Sequence, residues 1–276
     1  MHKLIKSTMI AMAIPAIVVT VPMTAQAEEG PEPLCPGTGD TNENRRGICG
    51  NYASEISPAE AFLNTVVKRG KWSNPSERPV LLDVRSTPEY KAGHPERSYN
   101  APYPFIYQYC NDVEGDDRRP DGACKSGGER IPQTDENFVA YVKSIVPDKN
   151  TPIYTMCRTG VRSVGAATVL TEAGYKNVRN IWEGFVGIYL TAPFQELVLD
   201  DDGNPVPVLD DDGNPVFDDD GNQLFEYVVG PVDLNHDGEL TDEDKNGWRY
   251  HQGLPYETRL LPHLIYADRV DTYYMD

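Results

Sequence analysis

Short apolar runs alternate with helix-like segments through the middle of the chain, and this alternation limits the fold more than any other feature. The apolar runs are typical of strands buried on both faces of a parallel sheet, and they lie at 79–85 (PVLLDVR), 151–156 (TPIYTM) and 177–184 (NVRNIWEG). The helix patterns lie at 56–70, with Ser57 as N-cap, at 134–146, with Thr134 as N-cap, and at 163–174. This alternation predicts an α/β fold, a doubly wound domain with a central parallel sheet and helices on both faces.

Cys157 follows the second apolar run and precedes a helix pattern, so it should lie at the carboxyl end of a buried strand. Reactive groups of such sheets cluster at this edge. The short loop after Cys157 contains Arg158, Gly160 and Arg162, and Ser163 opens the helix. Backbone N–H groups that converge between a strand end and a helix start favour an anion, as do the two arginines.

The loop contributes more to reactivity by binding an anion than by lowering the pKa of a thiol. Lowering a thiol pKa by roughly two units raises the thiolate fraction at pH 7 about 25-fold. The more acidic thiolate is also a weaker nucleophile by roughly 8-fold, so the net gain in reaction rate is only about threefold. Binding and orienting a small anion contributes far more. A free, buried core cysteine is the alternative, but such a residue needs no arginines beside it.

Four segments resemble the rhodanese family of sulfurtransferases. The loop CRTGVRS is similar to the family's six-residue active loop, and the other three segments surround it in the family's order. Phosphatases of this fold place an arginine six positions after the cysteine, where this chain has Ser163. The segments are 81–103 (LLDVRSTPEYKAGHPERSYNAPY), 157–163 (CRTGVRS), 174–187 (GYKNVRNIWEGFVG) and 246–257 (NGWRYHQGLPYE).

The resemblance implies a thiosulfate sulfurtransferase that needs no cofactor for catalysis. Cys157 would take a sulfur atom from a small sulfur-containing anion and pass it, as a persulfide, to a thiol or cyanide acceptor. Asp83 and Arg85 would organise the loop, and a protein could serve as acceptor. The residues that would bind the donor are Arg158, Thr159, Gly160, Val161, Arg162 and Ser163.

The first 27 residues are typical of a cleaved signal peptide. A basic start and an apolar stretch precede Ala25-Gln26-Ala27, and two prolines interrupt a stretch that is short for a membrane span. The predicted organisation is a signal peptide at 1–27, a leader at 28–50 and one domain at 51–276, with an insertion at about 190–245. We therefore expect an exported, periplasmic or secreted protein without a membrane segment after cleavage.

An oxidising compartment favours paired cysteines. Cys35 with Cys49, and Cys110 with Cys124, would each close a short loop and leave Cys157 free, although sequence alone does not fix the pairing. Each such disulfide would stabilise the fold by about 3 kcal/mol.

The formal charge of −18 comes almost entirely from one segment. Residues 200–244 contain 16 acidic residues and no lysine or arginine, and the remainder carries 27 acidic against 25 basic residues. Nucleic acid is therefore excluded as a partner, whereas cations are favoured. Asp-Gly-Asn units repeat three times within 199–226 and predict short hairpins, either as a solvated acidic loop or as an ion site.

A second motif lies at the end of the acidic segment. The run DLNHDGELTDED (233–244) resembles the EF-hand and dockerin calcium loop, with alternating oxygen ligands and a glycine at its sixth position. An acidic turn without an ion is the alternative. The candidate ligands of a structural calcium ion are Asp233, Asn235, Asp237, Glu239 and Asp244.

Two other functions fit the same pattern. One is a non-catalytic binding module that docks a partner through the acidic insertion, and the other is a persulfide carrier in a sulfur-oxidising or redox system.

Overall fold

The computed structural model describes residues 42–43, 48–111, 117–190, 196–197, 200, 203–210, 213–217, 221–225, 227–228 and 231–275. The expected signal peptide lies outside these residues. The strands are β1 (Asn42–Glu43), β2 (Cys49–Gly50), β3 (Ser54–Ile56), β4 (Val80–Asp83), β5 (His94–Pro95), β6 (Tyr99–Asn100), β7 (Phe105–Gln108), β8 (Arg130–Pro132), β9 (Ile153–Met156), β10 (Val178–Ile181), β11 (Glu196–Leu197), β12 (Tyr227–Val228) and β13 (Tyr256–Glu257). The α-helices are α1 (Pro58–Phe62), α2 (Thr87–Lys91), α3 (Asp135–Ile145) and α4 (Arg162–Glu172).

Five parallel strands form the central sheet in the order β3-β10-β9-β4-β6. The middle strand β9 is buried along its whole length, as its apolar sequence predicts. One core cluster on the sheet contains residues of α3 and α4, such as Phe138 and Leu170, and a second contains Ala61 of α1 and Trp248. The predicted parallel sheet is confirmed, and helices cover both of its faces.

The two predicted N-caps are present. The Ser57 hydroxyl accepts a hydrogen bond from the Glu60 N–H, and the Thr134 hydroxyl accepts one from the Asn137 N–H. The helix predicted at 56–70 is wrong in its extent, because α1 gives way to a π-helical turn at Leu63–Val67 and then to a 3-10 turn at Arg69–Lys71. β-Branched side chains in this stretch favour such an irregular end.

The ends of segment 105–132 pack onto the domain. Its ends form an antiparallel ribbon of β7 and β8, and Phe105, Ile106 and Tyr107 are buried. A disulfide joins Cys110 to Cys124. Cys49 is also disulfide-bonded, while Cys35 lies outside the described residues. The disulfide therefore closes a segment that is packed onto the domain through β7.

The acidic insertion leaves and re-enters the domain at one place. The Ile188 N–H donates to the Asn246 side-chain oxygen, and the Asn246 N–H donates to the Ile188 carbonyl. A side chain at Gly187 would lie 2.1 Å from the Gly247 nitrogen, so glycines are needed where the two chains meet. The two ends of the insertion are thus tied together.

The three Asp-Gly-Asn units form a closed ring of hydrogen bonds. Val208 donates its N–H to the Leu224 carbonyl, Leu224 donates to Val216, and Val216 donates to Val208. The expected short hairpins are present only as isolated antiparallel bridges, since each unit also pairs with the other two. Two of these bonds join residues that are eight positions apart, and the third, from Val208 to Leu224, joins residues sixteen apart. Equivalent positions of the repeat therefore face one another.

No helix in the described part of the chain is long and apolar enough to cross a membrane.

Candidate functional site

Cys157 lies directly after β9 and before α4, with 1% of its surface exposed. Its carbonyl accepts a hydrogen bond from the Phe185 N–H at 2.8 Å, and the Arg158 carbonyl accepts one from the Val186 N–H at 2.9 Å. The turn that follows β10 therefore holds the first two carbonyls of the loop, and the loop's position after the strand is as predicted.

The Cys157 sulfur lies beside the start of α4. The Ser163 hydroxyl donates to Cys157 Sγ at 3.3 Å. The first N–H groups of a helix lack partners within the helix, and its amino-terminal end carries partial positive charge. The hydroxyl and the helix end can both stabilise negative charge at this sulfur. Within the described residues, Cys157 is the free cysteine.

Gly160 allows the loop to turn closely against the rest of the domain. Its φ is +78°, and a Cβ at this position would lie 1.8 Å from the Trp182 carbonyl oxygen. Thr159 and Val161 flank it and are half-buried. The loop can therefore keep its curvature only with glycine at this position.

Arg162 is bound by a carboxylate that the sequence did not reveal. Its two terminal nitrogens donate to the Glu89 carboxylate at 2.8 and 2.6 Å, and Glu89 is buried in α2. Burial alone would raise the pKa of Glu89, but the charge and hydrogen bonds of Arg162, the charge of Arg85 and the Ser86 hydroxyl lower it to about 2. The guanidinium of Arg162 therefore has a fixed counter-ion, and its predicted role in binding a donor stays a prediction.

Arg158 has a second hidden partner. Its Nε donates to Asp121 Oδ2 at 2.6 Å, and Asp121 is buried within the segment closed by the disulfide. The capping box of Ser86 and Glu89 is a sequence signal for Glu89, although not for its contact with Arg162. No sequence pattern indicates Asp121 as a partner of Arg158. Each active-loop arginine is therefore oriented by a carboxylate from elsewhere in the fold.

Asp83 and Arg85 form a fully buried ion pair next to the loop. Arg85 Nη2 donates to Asp83 Oδ2 and to the Gly93 carbonyl, both at 2.6 Å. The Arg85 guanidinium also lies 3.9 Å from the centre of the Phe185 ring. The Phe185 N–H donates to the Cys157 carbonyl, so the ion pair supports the loop through its contact with Phe185.

A cleft of about 380 Å³ opens beside the loop. We name it the arginine cleft, because five arginines line it together with Glu89. Apart from Arg158 and Arg162, these arginines belong to the disulfide-closed segment and to β8. They are Arg118, Arg119, Arg130, Arg158 and Arg162.

The candidate calcium ligands are only partly arranged for a metal. Asp233, Asn235 and Asp237 accept hydrogen bonds from N–H groups of their own loop, and Gly238 has a φ of +85° at the sixth position. Both Asp244 oxygens accept backbone N–H groups, from Leu234 and Asn235 on one and from Thr241 on the other.

Glu239 is exposed, and the segment 233–244 ends in a 3-10 turn at Asp242–Asp244. Searching the described residues finds no group of three His, Cys, Asp or Glu side chains placed to hold a metal.

The Glu89–Arg162 pair should make the folded protein less stable in acid. The pKa of Glu89 falls from 4.5 to about 2 on folding, so its stabilisation is complete above pH 4.5 and is lost as the pH falls towards 2. The shift corresponds to roughly 3 kcal/mol. Urea unfolding from pH 6 to pH 2.5 should therefore show a smaller loss of stability for Glu89→Gln than for the wild type. Equal losses in the two proteins would contradict this assignment.

The chain is similar in sequence to several known proteins. A family model described as "Rhodanese-like domain" matches residues 67–191. The "Putative thiosulfate sulfurtransferase, mitochondrial" of Schizosaccharomyces pombe is 34% identical over 131 residues, 43% of this chain and 78% of that protein. "Thiosulfate sulfurtransferase 18" of Arabidopsis thaliana is 30% identical over 133 residues, 48% of this chain and 82% of that protein. A crystal structure from M. tuberculosis covers 75% of this chain and 99% of its own, at 23% identity and a TM-score of 0.35.

Proposed function

The chain belongs to the rhodanese-like family, and on that premise we propose that it transfers a sulfane sulfur from thiosulfate or a similar donor through a persulfide on Cys157. The family relationship supports a sulfurtransferase role with a sulfur donor and a thiophilic acceptor. The observation that carries the assignment to Cys157 is its position. Its sulfur lies at the carboxyl end of β9, next to the Ser163 hydroxyl and the start of α4.

The reaction divides into two displacements. The Cys157 thiolate attacks the outer sulfur of thiosulfate, the S–S bond of thiosulfate breaks, and sulfite leaves with the bonding electrons. The acceptor then attacks the outer sulfur of the Cys157 persulfide. Cyanide would leave as thiocyanate, and the Cys157 thiolate would be regenerated. No net oxidation occurs, so the cycle needs no redox cofactor.

The residues around Cys157 have separate tasks in this cycle. Ser163 donates a hydrogen bond to the Cys157 sulfur, which would stabilise the thiolate before it attacks the donor and again when the acceptor removes the outer sulfur. Glu89 and Asp121 hold the guanidinium groups of Arg162 and Arg158 at the edge of the cleft, where each keeps donors for an incoming oxyanion. Because these arginines are already oriented, donor binding need not order them.

Mass spectrometry after exposure to thiosulfate tests the proposal. We expect the wild type to gain the mass of one sulfur atom on the peptide that contains Cys157, and to release thiocyanate when cyanide is added. Cys157→Ser should do neither while unfolding at a similar temperature, since serine is close in size to cysteine. A wild type without added sulfur and without turnover would contradict the enzyme proposal and favour the binding module.

We also propose that the loop 233–244 binds calcium as a structural clip. The ligand spacing and the left-handed Gly238 support this, and Asp244 would fix the loop's shape through its backbone hydrogen bonds. Calcium should raise the unfolding temperature of the wild type relative to a chelator, and Asp237→Asn should reduce the difference. Because asparagine at position 237 keeps a ligand oxygen, Asp237→Ala is the stronger test, and Asp268→Ala, on an exposed carboxylate outside the loop, is its control. An unchanged midpoint in the wild type would overturn the site.

Export is the remaining proposal. The signal-like sequence at 1–27 and the disulfide between Cys110 and Cys124 support an oxidising, periplasmic destination. Amino-terminal sequencing of the exported protein should begin at residue 28.

A further inference from the structure

The arginine cleft is strongly positive within a strongly acidic protein. Five guanidinium groups and one carboxylate, Glu89, line it, while the whole chain has a formal charge of −18. A concentration of one sign of charge in a cleft raises the local concentration of oppositely charged ligands. The cleft is therefore built to attract anions, and its position beside the Cys157 loop connects it with sulfur transfer.

Two of the five arginines lie outside the Cys157 loop and have no ion-pair partner among the described residues. Arg158 and Arg162 are paired with carboxylates, and Arg118 donates to the Gly122 and Gln108 carbonyls and to the Tyr107 hydroxyl. Arg119 and Arg130 are exposed, and neither forms an ion pair with any described residue. Both lie on the disulfide-closed segment or on β8, rather than on the active loop.

One apolar side chain of the cleft contacts an arginine of the Cys157 loop and an arginine of β8. Phe105 has the Arg162 guanidinium 5.2 Å from its ring centre and the Arg130 guanidinium at 4.6 Å. Pro104 and Ala123 also line the cleft. The cleft thus offers positive charge beside an apolar surface that a carbon skeleton can contact.

The volume also exceeds what thiosulfate needs. Small-molecule sites typically measure about 300–1,000 Å³, and the cleft at about 380 Å³ falls in this range. Thiosulfate has only five heavy atoms and would contact one end of it.

We propose that the arginine cleft selects an organic sulfane-sulfur donor whose carbon skeleton carries a second anionic group. The reacting end would lie at Arg158 and Arg162, the skeleton against Phe105, and the remote anion at Arg119 and Arg130. This inference rests on the proposed sulfurtransferase function and names its substrate class.

The transfer step is balanced for such a donor. With a thiosulfonate, the Cys157 thiolate attacks the outer sulfur and forms a new S–S bond. The S–S bond of the donor breaks, and the sulfinate leaves with the electron pair. One negative charge remains on the Cys157 persulfide and one on the sulfinate, so no oxidant, reductant or proton is required.

Two probes that differ only in the remote charge test the proposal. These are benzenethiosulfonate and para-carboxybenzenethiosulfonate, and the readout is the ratio of their kcat/KM values for sulfur transfer to cyanide. The wild type should prefer the carboxylated probe about tenfold, and this preference should shrink as salt is added. The variant Arg119→Gln/Arg130→Gln should reduce the ratio to about one. Arg259→Gln, an exposed arginine that does not line the cleft, should keep the wild-type ratio.

A binding measurement separates this proposal from the enzyme assignment. The unreactive para-carboxybenzenesulfonate should bind Cys157→Ser, as followed by calorimetry, and bind about tenfold more weakly when Arg119 and Arg130 are also replaced. Transfer from both probes at equal rates by the wild type would overturn the cleft proposal and leave the enzyme intact. If binding depends on the two arginines but no donor transfers sulfur to Cys157, the enzyme proposal is overturned and the anion-site proposal stands.

Discussion

Replacing Asp83 with alanine is expected to lower the free energy of unfolding by about 3–5 kcal/mol, since it leaves the Arg85 charge buried without its hydrogen-bonded counter-ion. Both side chains are fully buried, and Asp83 accepts hydrogen bonds from the Arg85 backbone and guanidinium. Arg85 Nη1 already lacks a hydrogen-bond partner, so no spare contact compensates for the loss. Urea unfolding at neutral pH measures the change.

An exposed ion pair provides the matched control for Asp83. Arg269 and Asp271 lie 3.2 Å apart, and both are accessible to solvent. Replacing Asp271 with alanine should cost no more than about 1 kcal/mol, because water replaces the lost contact. If both alanine variants lost the same stability, the buried pair would not have the role assigned to it. Asp83→Ala should also slow sulfur transfer, because the pair supports Phe185 and, through it, the Cys157 carbonyl.

Gly160→Ala is expected to disable the active loop and to destabilise the protein. The left-handed backbone alone costs about 1–3 kcal/mol with a side chain present. The new Cβ would also lie 1.8 Å from the Trp182 carbonyl oxygen, so the loop must move. A displacement of this kind moves the loop that joins Cys157 to Ser163, and rates of group transfer fall about 100-fold for misplacements near 1 Å. Persulfide formation from thiosulfate, followed with time, measures this loss.

Gly165→Ala is the control for Gly160→Ala. Gly165 lies within α4, where a Cβ would meet only the Tyr103 ring, at 3.5 Å. Alanine in a helix interior is favoured over glycine by roughly 0.5–1 kcal/mol. The variant should therefore unfold at a higher urea concentration and keep its activity. Similar losses at both glycines would show that helix α4, rather than the loop, is the sensitive element.

Local patterns in the sequence determine most of what was predicted correctly. The burial of β9 follows from its apolar residues, and the starts of α1 and α3 follow from hydroxyl caps at Ser57 and Thr134. These signals need only a few neighbouring residues to be read. The short helix α2 was not among the predicted helices, since its five residues give no clear periodicity.

Contacts across the sequence explain what was missed at the site. Arg162 binds Glu89 across 73 residues, and Arg158 binds Asp121 across 37 residues. Both arginines were predicted to be near the cysteine, but their partners depend on how α2 and the disulfide-closed segment pack. The same is true of Arg119 and Arg130, whose sequence neighbours do not indicate that they share a cleft with the active loop.

The ring formed by Val208, Val216 and Leu224 limits how this region can change in length. An open stack of repeats has two ends, so a unit can be added or removed while the others keep their neighbours. In the ring every unit is both donor and acceptor, and the third bonds back to the first. Loss of one unit would remove two of the three bonds, and gain of one unit would interrupt one of them. The repeat number is thus fixed at three by closure, much as the subunit number of a cyclic oligomer is fixed by its rotation angle.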